Sequence, residues 1–145
     1  VGIDHYEVRR SLLLWYEASL WGPGAPLYIR SASVEHILPG RCGPRSQWLQ
    51  DFPDAQRRYL AHASLGNLAM IDRRLQEPLA NLDFAGKGGK KEQLAGSGQF
   101  EKYRSLGGID KIDRWLPGII QARTELAAMH IWTKLGLGEI GRDAS

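Results

Sequence analysis

Two short apolar runs constrain this chain more than any other feature, because helical periodicity surrounds them. Val34, Ile37 and Leu38 belong to a run that Pro39-Gly40 stops. Leu65-Gly66-Asn67-Leu68-Ala69-Met70-Ile71 is a second run, entered through a glycine. Both read as strands, since short apolar segments bounded by Gly and Pro favour extended structure. Two strands allow only a small sheet, so the rest of the fold must come from helices. The expected class is α+β, predominantly helical, with a two-strand insert.

The helical segments follow from the apolar spacing. Residues 5–20 place Tyr6, Leu13, Tyr16 and Leu20 three to four residues apart, and Gly22-Pro23-Gly24 ends that pattern. Trp48, Leu49, Phe52, Tyr59 and Leu60 suggest one or two helical pieces divided near Pro53. Asp72 is placed to cap a helix over 73–84, which Pro78 shortens or breaks. Residues 86–91 read as a flexible basic loop, 100–105 as helix, and 109–134 as a long amphipathic stretch in which Pro117 marks a first turn. The glycine-containing tail 136–145 is expected to fray.

With 145 residues the chain makes one domain, and no run of 18 apolar residues is available to cross a bilayer. A single cysteine, Cys42, excludes an intrachain disulfide and a four-cysteine zinc site, and fits a reducing, cytoplasmic setting. The net charge of +3 is small, but its distribution is uneven. Ten basic residues stand against six acidic ones between positions 30 and 91, while the remainder is slightly acidic. A basic middle suits a phosphate backbone, with Lys87, Lys90 and Lys91 as the expected contacts.

Several motifs lose to plainer readings. Gly86-Lys87 is not a nucleotide phosphate loop, since position 81 is Asn where that loop needs Gly and position 88 is Gly where it needs Ser or Thr. The five tryptophans are too scattered for a stacking platform and read mostly as core. His5 and His130 read as packed histidines; His62, just before the Leu-Gly-Asn turn, could orient a site. Glu35-His36 differs: a carboxylate and an imidazole sit side by side in an apolar strand, where polar groups need a partner or a task. Asn67, Asn81 and Lys87 complete a set with one carboxylate, amide oxygens, one imidazole and one cation. Such a set suits metal-assisted phosphodiester hydrolysis.

The motifs Val34-Glu35-His36-Ile37-Leu38-Pro39, Leu65-Gly66-Asn67-Leu68 and Asn81-Leu82-Asp83-Phe84-Ala85-Gly86-Lys87 resemble the HNH-type nuclease domain of unknown-function family 1524. Trp115, Ile119, Arg123, Leu126 and Trp132 resemble that family's C-terminal helix. The resemblance implies a ββα-metal (His-Me finger) core at about 33–92, flanked by helices at about 5–20 and 100–134. It implies a single domain over 1–145 excised from a larger protein with an N-terminal nucleotide-binding sensor domain. By the same resemblance His36 is the general base, Asn81 a metal ligand and Glu35 a second one. Asn67 braces the strand and helps orient His36, and Lys87 approaches the phosphate. Mg²⁺ is the implied ion, with Mn²⁺ as substitute. Gln76 departs from the pattern, which has Asn at that position.

The implied activity is nicking of double-stranded DNA in defence against foreign DNA, in a family linked to modification-dependent restriction and to phosphorothioate-marking bacteria. Two alternatives stay open at this level. One is a nuclease acting on RNA, since the chemistry does not choose the sugar. The other is a non-catalytic helical domain that binds DNA or regulates a partner. The sequence leaves the oligomeric state undetermined.

Overall fold

The sheet is the two-strand pair that the apolar runs predict. In the computed structural model, which describes residues 5–136, β1 (Ser33–His36) and β2 (Leu68–Ile71) run antiparallel. Glu35 faces Ala69 across the pair and His36 faces Leu68. Side chains alternate along a strand, so Ser33 and Glu35 share one face while Val34 and His36 share the other. Every residue of β2 is buried, and a two-strand ribbon is stable only when covered in this way.

Among the described residues, seven α-helices supply most of the cover. These are α1 (His5–Trp21), α2 (Gln47–Asp51), α3 (Ala55–Ala63), α4 (Gln76–Leu79), α5 (Lys90–Gly96), α6 (Gln99–Lys102) and α7 (Pro117–Lys134). α1 packs on both strands, α4 packs on β1, and α7 packs along the 3₁₀ turn Leu65–Asn67. The observed class is α+β with helix predominant. Pro53 separates α2 from α3 as its position predicts, and each of these helices has a side-chain cap. Ser46 accepts from the Trp48 N–H and Asp54 from the Arg57 N–H. Pro117 opens α7, where its missing N–H costs nothing.

Close packing of α7 explains Gly66. A Cβ there would lie 2.1 Å from the Ile120 carbonyl oxygen and 2.6 Å from the Thr124 nitrogen. The contact is reinforced by hydrogen bonds from the Gly66 N–H to Thr124 Oγ1 (2.9 Å) and from Arg123 Nε to the Gly66 carbonyl (2.8 Å). Arg123 also donates to the carbonyls of Leu68 (3.3 Å) and Ser105 (3.2 Å). On the other side of the core, buried Glu17 of α1 accepts from the Ser105 N–H at 2.9 Å, tying α1 to the turn Arg104–Leu106. Burial pushes the Glu17 carboxyl above its ordinary range.

Several sequence expectations change. Leu65–Asn67 is a 3₁₀ turn rather than the first half of a strand. Asp72 does not cap a helix over 73–84; its carboxylate takes the Tyr103 hydroxyl (2.7 Å), Gln99 Nε2 (3.1 Å) and the Lys102 ammonium (2.7 Å). The helix there is only α4, and the chain turns out of it at Ala80, so Asn81 lies in an exposed turn. The stretch 86–91 is not all loop, because Lys90 begins α5 and is fully buried. Trp48 and Trp115 are core residues, but Trp132 is 54% exposed. His130 is a packed histidine: it stacks edgewise on Tyr16, and its Nε2 lies 2.8 Å from Ser19 Oγ. The side chain of His5 and the tail 137–145 lie outside the described residues.

Candidate active site

The site is built on the end of β1, and Asn67 holds that end in place. Its fully buried amide uses both ends on one residue: Oδ1 accepts from the Leu38 N–H at 2.7 Å, and Nδ2 donates to the Leu38 carbonyl at 3.0 Å. Nδ2 also reaches the His62 carbonyl (3.1 Å), and Oδ1 takes a second donor, the Trp115 indole N–H, at 3.1 Å. The Ile37 N–H meanwhile bonds to the Asn67 carbonyl at 3.0 Å. The chain leaving β1 is thereby fixed two residues after His36. The bonds to Leu38 and Trp115 are buried, where an amide without partners would be costly.

His36 projects to one side of this frame. Its ring stacks on His62 with centroids 4.2 Å apart and planes 15° from parallel. His62 Nδ1 lies 3.0 Å from the Leu38 carbonyl. A carbonyl oxygen can only accept, so Nδ1 carries the proton. The His36 Nε2 is buried and has no hydrogen-bond partner. Burial is the main cause that lowers the His36 pKa to about 4, and electrostatic interaction with His62, Arg9 and Lys90 pushes it the same way. The imidazole is therefore neutral at pH 7, with a lone pair to offer.

Glu35 projects to the opposite side. Its Oε1 lies 3.3 Å from the ammonium of Lys90, which also donates to the His36 carbonyl at 2.8 Å. Both side chains are buried. Burial raises the Glu35 carboxyl above its usual range and lowers the Lys90 ammonium below its own, and each charge partly restores the other. Glu35 Oε2, like His36 Nε2, is buried without a partner.

The remaining residues singled out from the sequence stand further out. Asn81 and Lys87 are exposed, and no hydrogen bond or ion pair ties either to Glu35 or His36. Lys87 rides a turn between Gly86 (φ 85°) and Gly88 (φ 76°), both in the left-handed region that favours glycine. Gln76 serves the frame: its Oε1 accepts from Ser33 Oγ at 3.2 Å and its Nε2 reaches the Val34 carbonyl at 3.4 Å. The structure thus sets Asn67 beside the end of the strand that carries His36, and it turns Glu35 to the opposite face. To them it adds Lys90 and Trp115, which no sequence motif marked for this site, and His62.

Among the described residues no group of three or more His, Cys, Asp or Glu side chains is arranged to hold a metal. A cage made wholly of protein is not required for Mg²⁺, which keeps several waters and binds through one or two carboxylates plus substrate phosphates. Glu35 is the one carboxylate beside His36 in the chain, but it is taken by the Lys90 ammonium on the opposite face of β1, so the arrangement does not fit an ion shared between Glu35 and the His36 side.

The comparisons with known proteins bear on this constellation. No curated protein and no solved structure matches the chain. Residues 5–128, which span α1, both strands, the Asn67 brace and most of α7, match the C-terminal domain of GmrSD restriction endonucleases. The chain belongs to that family, the C-terminal domains of the GmrSD restriction endonucleases.

Proposed function

We propose that this domain is an HNH-type nuclease that hydrolyses phosphodiesters of double-stranded DNA, one strand at a time, with His36 as the general base. The observation that carries the reading is the state of His36. It is a neutral imidazole with an unpartnered nitrogen, held at the end of a strand by Asn67 and flanked by positive groups. A nitrogen denied a hydrogen bond is destabilising by about 1–3 kcal/mol, and a fold that tolerates this reserves the atom for a ligand.

In the proposed reaction His36 takes a proton from a water molecule. The resulting hydroxide attacks phosphorus in line with the 3′ oxygen, the P–O3′ bond breaks, and the leaving oxygen takes a proton from solvent. Asn67 keeps the base aligned by fixing Leu38, and Lys90 fixes the His36 carbonyl. Arg9, near His36, provides a positive field that attracts the polyanion. The resemblance implies a divalent ion, Mg²⁺ or Mn²⁺, on Glu35 and Asn81; such an ion would stabilise charge on the phosphate oxygens only if Glu35 turned from Lys90 towards the His36 face. Lys87, exposed on its turn, would meet the backbone.

Membership in a restriction family supports DNA as substrate and defence against foreign DNA as the setting. The domain would act in concert with a nucleotide-binding sensor domain of a longer protein.

The test is a time course on supercoiled plasmid in Mg²⁺. The wild-type chain is expected to give open circles first and linear DNA later. His36→Ala should lose about 10²–10⁴-fold in rate, the range a general base contributes, with DNA binding retained. Wild-type turnover by His36→Ala would overturn the assignment of the base. Linear product with no open-circle intermediate would overturn the nickase reading.

A further inference from the structure

Behind the His36–His62 stack lies a cavity of about 350 Å³, walled by Pro39, Gly40, Ala55, Arg58, Tyr59 and His62. Its one cationic side chain, Arg58, marks it as a place for an anion. The Arg58 guanidinium is anchored by a 2.6 Å bond from Nη1 to the Phe52 carbonyl, and no carboxylate pairs with it among the described residues. The His62 ring commits Nδ1 to Leu38, and Nε2 has no partner among the described residues. Gly40 keeps the space open: a Cβ there would sit 3.4–3.5 Å from the His62 ring atoms Cε1 and Nε2.

We infer that this cavity is a subsite for a second phosphate of the DNA strand, one that flanks the scissile phosphate, is held by Arg58 and is walled by the His62 ring. The inference rests on the nuclease reading for its substrate and adds a binding site to it. Two consecutive phosphates of one strand lie several ångströms apart, so a strand that presents one to His36 offers a neighbour within reach of the next ring in the stack. Arg58 would donate from the guanidinium nitrogens that Phe52 leaves free. His62 would wall the subsite with its ring, held in place by the Nδ1 bond to Leu38. The cavity would therefore fix the register of the strand, and the residues around it would change binding without changing the chemical step.

The test uses the full chain in the His36→Ala background, where no strand is cut, with fluorescence anisotropy on a random duplex across a salt series. Arg58→Ala is expected to weaken binding about tenfold at low salt and to reduce the log–log salt slope by about one, the signature of one lost phosphate contact. Arg58→Lys should restore the slope. Gly40→Val removes no charge and no anchor; by narrowing the cavity it should weaken binding as well, which decides the matter if Arg58→Ala does not fold. With the native His36, Arg58→Ala and Gly40→Val should raise KM more than they lower kcat, and Arg58→Lys should bring KM back towards wild type. Unchanged affinity and slope in Arg58→Ala and Gly40→Val would overturn the subsite. A chain that binds with an Arg58-dependent slope yet never cuts keeps the subsite and refutes the nuclease reading; a chain that cuts with an Arg58-independent slope does the reverse.

Discussion

Glu35 and His36 are neighbours in the chain and opposites in their surroundings. On the Glu35 side of β1 a buried ammonium meets a buried carboxylate, and the same ammonium holds the strand's last carbonyl. On the His36 side a ring lies flat on a second ring beside an open cavity, with its Nε2 left unpaired. Strand alternation alone produces this division. One face is locked by charge and the other is left free to react, and the strand between them transmits the order of the first to the second. A catalytic group gains from this arrangement because its position is set by contacts that never touch substrate.

The largest expected effect comes from breaking the locked side. Lys90→Ala leaves the Glu35 carboxylate buried and alone, which should cost about 3–5 kcal/mol of stability. Urea denaturation is the measurement. Replacing both partners, as Glu35→Gln with Lys90→Met, should recover most of the loss, because a buried pair exchanged for matched neutral groups is often nearly neutral. A Lys90→Ala variant as stable as wild type would mean that Glu35 finds another partner, and that the two faces differ less than their geometry indicates.

An intermediate effect comes from protons on the free side. The His36 pKa falls to about 4 in the folded chain against 6.5 in the unfolded one. Between those values the unfolded state binds more protons, so stability rises with pH. The contribution is fully present above pH 6.5 and is lost as pH falls towards 4, a change of about 3 kcal/mol at about 1.4 kcal/mol per unit. Buried Glu17 and Glu35, whose pKa values are raised, work in the opposite sense. The informative quantity is therefore the difference between wild type and His36→Phe, which keeps an aromatic ring against His62. The two stability curves should diverge as pH drops from 6.5 to 4. Parallel curves would show that His36 is solvated and not held neutral.

The residues of the free side were legible in sequence because they sit in short-range motifs. A polar residue inside an apolar run, stopped by Pro39-Gly40, marks His36 directly, as it marks Glu35 of the locked side beside it. The Leu-Gly-Asn turn marks Asn67 and, through the close approach of α7, explains its glycine. The locked side was not legible in the same way. Lys90 follows a Gly-Lys-rich stretch that has the composition of a solvated loop, and its partner lies 55 residues earlier. Trp115 reaches Asn67 across 48 residues. Asp72 had the residue type and position of a helix cap, but Tyr103 and Lys102 offered its carboxylate a stronger set of donors. Local propensity sees none of these distant partners, and the helix expected after Asp72 shrank to α4.

The smallest effect tests the same contrast among three lysines that sequence alone treats as equivalent. Charge counting groups Lys87, Lys90 and Lys91 as phosphate contacts. The structure separates them. Lys90 is fully buried against Glu35, and Lys91 spends its ammonium on the Ile112 carbonyl at 2.8 Å. Lys87 alone is exposed, on a turn whose two flanking glycines carry the strained backbone in place of the lysine. A triple alanine variant would therefore confound folding with binding. Lys87→Ala by itself should change stability by no more than about 0.5 kcal/mol, as expected for a surface substitution. It should reduce the salt slope of DNA binding by about one while leaving duplexes of different sequence equally affected. Lys90→Ala should instead lower the melting temperature before any change in slope can be read. If Lys87→Ala left the slope unchanged, the turn would lie off the DNA path, and the Arg58 cavity would have to supply the phosphate contact that the basic loop was expected to make.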